Sequence, residues 1–231
     1  MAGIAGFTRY ALYYVPSPDA GWARFCTAWL GWDMAAGCAV PHPDIDGLPV
    51  AEITAAPRRY GLHATLKPPF RVAEGRDRAG LEAACETLAR GIAPVVAGGL
   101  ELVPMGRFLA LRPAGDTAPL NALAARCVHV LDRFRAPPTT AETAARMRPG
   151  LSAVLAENLR RWGYPFVLDA FRFHITLTGP LDPATRARIL AALSPRLTPL
   201  LAETLRIDAL ALAGEAADGR FHLLRRFTLT G

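Results

Sequence analysis

Cysteine is scarce in this chain, and the little there is carries no pattern. Cys26, Cys38, Cys85 and Cys127 are the only four. None falls in a Cys-x-x-Cys pair or beside a histidine cluster, which argues against structural zinc and against a disulfide framework. They read as reduced thiols of a cytoplasmic protein. Long apolar runs are missing too, since none approaches the roughly 18 residues of a membrane helix. The opening Met1-Ala2-Gly3-Ile4-Ala5-Gly6-Phe7 lacks the basic flank and apolar core of a secretory leader. There are no dense basic tracts. The net charge of +6 over 231 residues comes from scattered arginines, which favours anionic partners without marking a nucleic-acid track. No His/Cys/Asp/Glu cluster has metal-ligand spacing, so neither a metal nor any other cofactor is expected.

What is present is a tetrad written twice. His63-Ala64-Thr65-Leu66 and His174-Ile175-Thr176-Leu177 recur in a chain with five histidines. Chance duplication of all three fixed positions is on the order of one in a thousand or rarer. Each tetrad lies in a short strand-like run, one closed by Pro68-Pro69 and the other by Gly179-Pro180. Residues i and i+2 of a strand share a face, so each His stands beside its Thr while the apolar neighbours turn to the core. Lys67 and Arg172 share parity with His63 and His174, so both are expected to enter the same cleft as substrate-binding cations. His42, His129 and His222 have no Thr partner and read as non-catalytic. Trp22, Trp29 and Trp32 read as core.

The surrounding pattern also repeats. A strand over 7–15 is followed by an amphipathic helix through Trp22, Phe25, Trp29 and Leu30, then a loop over 37–57. The His63 strand, a helix over 77–92 and strands over 100–104 and 107–112 form one β-α-β-β unit. The His174 strand, a helix over 183–193 and strands over 205–212 and 220–229 form another. Helical stretches over 118–134 and 140–162 lie between them, separated by Ala136-Pro137-Pro138. The expected fold is α+β and bilobal, a single domain over 1–231. Its two duplicated lobes hold antiparallel sheets that face one another across a central groove, with motif strands near 60–68 and 171–178.

The chemistry of such a groove follows from its residue types. One neutral and one protonated imidazole can act as base and acid, and a Thr hydroxyl beside each can donate to a phosphoryl oxygen. Two bases and two donors suffice for in-line attack on a phosphodiester without a metal. Residue types alone leave open which histidine is the base. They also leave open whether water or a hydroxyl attacks, and whether the groove only binds RNA or a nucleotide.

The paired tetrads resemble the 2H phosphoesterase superfamily. Arg9-Tyr10-Ala11-Leu12-Tyr13, the run from Arg59 to Phe70 and the run from Phe171 to Gly179 look more closely like its DUF1045 branch, often labelled phosphonate-metabolism proteins. The resemblance implies a bilobal groove lined by His63, Thr65, His174 and Thr176, and metal-independent opening of a small cyclic phosphate. A ribose cyclic phosphate is the natural candidate. A 2′-5′ RNA ligase-like transesterase is the alternative, RNA is possible but not favoured as a partner, and no membrane contact is expected.

Overall fold

The computed structural model describes residues 6–45, 47–147 and 150–231. Strand β1 (Arg9–Tyr14) leads to helix α1 (Gly21–Leu30), the short strands β2 (Trp32–Asp33) and β3 (Cys38–Ala39), and the one-turn helices α2 (Val50–Ile53) and α3 (Ala55–Arg58). The first tetrad opens β4 (Ala64–Phe70). Helix α4 (Arg78–Arg90), strands β5 (Val95–Ala97), β6 (Leu100–Met105) and β7 (Phe108–Pro113), and helices α5 (Ala118–Leu131), α6 (Thr140–Arg146) and α7 (Ala153–Trp162) follow. The second tetrad forms β8 (Ile175–Thr176), then come α8 (Pro183–Leu201), β9 (Leu205–Ile207), β10 (Ala209–Glu215) and β11 (Phe221–Thr228). Among the described residues no helix is long and apolar enough to cross a membrane. The leader segment considered above falls largely on residues 1–5, outside the described residues.

Local chemistry accounts for several helix starts. Asp77 caps α4 by accepting from the Gly80 N–H, and Asp182 caps α8 by accepting from the Thr185 N–H, with Pro183 at the first helical position. Thr139 and Glu142 close a reciprocal capping box on α6. Helix α8 runs on through Pro195 and Pro199, although an internal proline costs about 3 kcal/mol. Ile189, Leu193, Leu197 and Leu201, four apart and all buried, hold it against the sheet, and that burial outweighs the lost backbone bonds. The stretch over 140–162 is two helices, not one, and residues 148–149 between them lie outside those described.

The α+β class and the antiparallel sheets stand, but the halves meet edge to edge instead of face to face. A single seven-stranded sheet has the order β11-β10-β1-β4-β8-β7-β6. The halves are also interleaved. Strand β4, carrying the first tetrad, lies on the side of β10 and β11, which follow the second; β8, carrying the second, pairs with β7, which follows the first. Helix α4 packs on β10 and β11, α8 on β6 and β7, and α5 on β4. These helices lie on one face over the main core, which runs through Leu12, Trp29, Leu66, Leu111, Ile175, Leu193 and Phe227. On the other face a smaller cluster of Ala11, Tyr13, Val15, Trp32, Met34 and Phe221 covers only the β1–β10–β11 half.

Between β4 and α5 lies an ion pair. Lys67 is 2% exposed, and its Nζ sits 3.2 Å from Asp132 Oδ1, which also accepts from Arg135 Nε at 2.7 Å. Removing one partner of a buried pair strands the other charge in a poorly hydrated site, at a cost of about 3–5 kcal/mol. Asp132→Asn is therefore expected to destabilise the fold by about that amount in urea denaturation. A loss under about 1 kcal/mol would show that water already reaches the ammonium.

Candidate active site

The site is fixed by one backbone pairing. Ala64 on β4 lies opposite Ile175 on β8, antiparallel. Continuing that register one residue each way sets His63 across from Thr176 and Thr65 across from His174. Ala64 and Ile175 are fully buried in the helix-side core, so their neighbours emerge on the opposite face. Burial follows the same alternation in both tetrads: His63, Thr65, His174 and Thr176 are half-buried, while Ala64, Leu66, Ile175 and Leu177 are buried. Two imidazoles and two hydroxyls thus occupy one patch in a crossed arrangement, with strands about 5 Å apart.

Each imidazole is oriented by its own backbone. His63 Nδ1 lies 3.0 Å from the Gly61 carbonyl and His174 Nδ1 lies 2.7 Å from the Arg172 carbonyl. A carbonyl only accepts, so Nδ1 carries the proton in both rings. This leaves both Nε2 atoms as lone-pair positions, and Thr65 Oγ1 reaches His63 Nε2 at 3.2 Å. Gly61 makes its turn with a φ of +71°, and a Cβ there would come within 2.9 Å of Met34 Cβ. Only glycine fits a turn that both bends left-handed and presses against Met34.

The rings differ in their surroundings. Tyr13, paired with Thr65 across β1 and β4, packs against His63 with centroids 4.0 Å apart. Tyr60 lies 5.8 Å from His63, while Phe108 lies 5.9 Å from His174. Burial pushes the His63 imidazole down to about 4, against the pull of the Gly61 hydrogen bond and with the added push of His174. His174 is also lowered, chiefly by burial, with its Arg172 hydrogen bond opposing and the Arg112 charge assisting. At neutral pH the free groove therefore holds two neutral imidazoles. Beyond Leu62 a cavity of about 210 Å³ opens, lined among others by Val15, Trp32 and Met34.

Of the two expected cations, Lys67 turns away from the patch. Strand parity put Lys67 beside His63, but the β1–β4 ladder slips: Tyr13 pairs with Thr65 and Leu12 with Lys67. The extra residue, Leu66, is a bulge that turns Lys67 into the helix-side core, where it meets Asp132. Arg172 is exposed, and its Nη1 is spent on the carbonyls of Asp169 and Phe171. A cation that faces the pair is Arg112 on β7. Leu111 pairs with Ile175, so the next position outward sets Arg112 across from His174 on the same face. Its place beyond Leu111 in a strand read as 107–112 held the only sequence signal.

The other histidines lie apart. His42 Nδ1 bonds the Trp29 carbonyl, His129 packs edge-on to Trp162, and His222 packs edge-on to Trp32. Trp22, Trp29 and Trp32 are buried, as expected of core residues. No group of three or more His, Cys, Asp or Glu among the described residues is placed to hold a metal ion.

Fold and site together define an antiparallel α+β protein with a two-histidine, two-threonine patch at its central strand pair. The chain belongs to the DUF1045 family, described as a protein of unknown function, whose model matches residues 65–222. It is 39% identical over 219 residues to the ribose 1,5-bisphosphate phosphokinase PhnN of Janthinobacterium sp. (strain Marseille), covering 92% of this chain and 48% of that protein. A namesake in Laribacter hongkongensis (strain HLHK9) is 41% identical over 176 residues, 75% of this chain and 40% of its own length. The chain thus spans about half the length of the curated relatives it matches. Among solved structures, TT0787 of Thermus thermophilus matches with a TM-score of 0.47 at 18% identity, covering 96% of this chain and 98% of that one. E. coli LigT complexed with NADP+ matches with a TM-score of 0.47 at 14% identity, covering 98% of this chain and all of that one.

The depressed His63 has a direct consequence for stability. Unfolded, it takes its proton near 6.5; folded, near 4. The unfolded state therefore binds more protons in between. Its contribution to stability is whole above about pH 6.5 and is lost as pH falls toward 4. Proton-detected NMR is expected to show His63 neutral at pH 5, and His63→Gln to flatten the stability profile between pH 6.5 and 4. Titration of His63 near 6.5 would contradict the burial argument.

Proposed function

We propose that this chain is a metal-independent phosphoesterase that opens a ribose or nucleotide cyclic phosphate, with phosphonate utilisation as its setting. The observation that carries this reading is the crossed patch, in which each tetrad presents a lone-pair Nε2 and a hydroxyl on one face of the central strand pair. In the proposed step a water oxygen attacks phosphorus while one imidazole takes its proton. The P–O bond to the ring alkoxide breaks in line, and the other imidazole protonates the departing oxygen. Thr65 and Thr176 donate to the non-bridging oxygens. We assign His63 as base, because burial keeps it neutral until about pH 4 and Thr65 marks where its lone pair points. His174 is then the acid, receiving its proton as the anionic substrate arrives. The substrate class is supported by the ribose 1,5-bisphosphate in the relatives' names.

The kinase in those names finds no support in this chain. Phosphoryl transfer from a nucleoside triphosphate through a P-loop requires Gly-x-x-x-x-Gly-Lys-Ser/Thr. The only lysine here is Lys67, which follows Leu66 and is buried against Asp132. That activity fits the half of the relatives that this chain does not span.

The test is a screen of ribose 1,2-cyclic, nucleoside 2′,3′-cyclic and 3′,5′-cyclic phosphates with and without EDTA. Turnover of the preferred substrate is expected to survive the chelator; loss restored by a divalent ion would overturn the metal-free reading. His63→Ala and His174→Ala are each expected to lower kcat by about a hundred- to ten-thousandfold. Thr65→Ala and Thr176→Ala should cost less. The double histidine variant should lose far less than the product of the single losses, because both act in one step. Undiminished turnover in either histidine variant would favour a groove that binds without catalysing.

A further inference from the structure

Among the described residues, Arg112 is a cation placed beside the histidine pair that the proposed reaction leaves unused. It lies on β7 across from His174, on the face opposite the fully buried Leu111. Its charge reaches the imidazole, contributing to the lowering of His174. Yet the guanidinium has no counterpart. Nε is buried without a hydrogen-bond partner, and among the described residues Arg112 makes no ion pair and no side-chain hydrogen bond. Even Glu101, paired with it across β6 and β7, forms no salt bridge to it. The contrast within the chain is plain. Arg9 is held by Glu215, Arg71 by Glu142, Arg78 by Glu82 and Arg135 by Asp132.

A partly buried guanidinium without an acceptor loses hydration and receives nothing in return. Such a group is stable in a fold when an anion completes it, and the planar fork of Arg suits two oxygens of one phosphate. We propose that Arg112 is a substrate-binding residue of this groove, holding an anionic oxygen of a phosphorylated ligand on the β7 side of His174. The inference rests on the proposed phosphoesterase reading for its ligand class, but not for its geometry. The two flanks of the patch then differ in kind. Tyr13 packs against His63 on the β1 side, while Arg112 stands over the β7 side. The anion is thereby drawn toward the β7 side, which breaks the symmetry of the two tetrads.

The test uses inorganic phosphate as the probe and the whole chain. Titrating phosphate into the wild-type protein is expected to shift the Arg112 Nε–H resonance, whereas titrating chloride at matched ionic strength leaves it in place. Arg112→Gln is expected to weaken phosphate binding by about ten- to a hundredfold in calorimetry, the usual worth of a charge-assisted hydrogen bond. Arg112→Lys, which keeps the charge and loses the fork, should fall between. Arg206→Gln, an exposed arginine on β9, removes the same net charge and should leave the affinity unchanged. Phosphate that binds Arg112→Gln as tightly as wild type, or that leaves the wild-type Nε–H unmoved, overturns the proposal. The two readings fail separately. If His63→Ala and His174→Ala keep turnover while Arg112→Gln loses phosphate, the catalytic assignment falls and the anion site stands.

Discussion

The pairing of Ala64 with Ile175 is the contact on which the rest depends. It is a short seam, since β8 has only two strand residues, yet it joins the two halves into one sheet. It also sets the side-chain parity of both tetrads at once. A slip of one residue would exchange buried and exposed positions on one strand, sending an imidazole into the core and an isoleucine or alanine into the groove. The full burial of Ala64, Leu66, Ile175 and Leu177 penalises that slip. Hydrophobic burial on one face thus holds the register that places the polar groups on the other.

The strand exchange between halves explains why the site lies at the centre of the sheet. The second tetrad strand pairs with β7 of the hairpin that follows the first, while the first tetrad strand lies on the β10–β11 side of the sheet with β1 between, so neither half of the chain builds its own half of the sheet. Helices α4, α5 and α8 all cover the far side, which leaves the tetrad face uncovered by helices where β4 and β8 meet. Toward β10 and β11 that face is closed by Trp32, Met34 and Phe221. The result is a groove with one aromatic wall. Desolvation there lowers both histidines, and an approaching anion favours the protonated form that burial opposes.

Lys67, a cation given by strand parity, shows how local pattern misleads. Alternation is a rule for an unbroken strand, and β4 is broken by the bulge at Leu66. Whether a bulge forms depends on the neighbouring strand, here β1, which lies far away in sequence. Arg172 keeps the parity of His174 in irregular chain before β8, with its Nη1 on the Asp169 and Phe171 carbonyls. Arg112 has nothing local to mark it. It becomes conspicuous only when its missing partner can be seen.

By itself the sequence determined the duplicated tetrads, the α+β class, the core tryptophans and the family resemblance. These are written in residue types and in spacings shorter than a strand or a helix, where backbone geometry leaves few choices. Only the tertiary structure decided that the halves exchange strands and merge into one sheet, that α8 survives two prolines, and that Lys67 turns inward while Arg112 faces His174. Those outcomes depend on hydrogen-bond register and burial between segments tens of residues apart or more. No local window contains both partners of such a contact, so the physics that selects it acts only once the chain is folded.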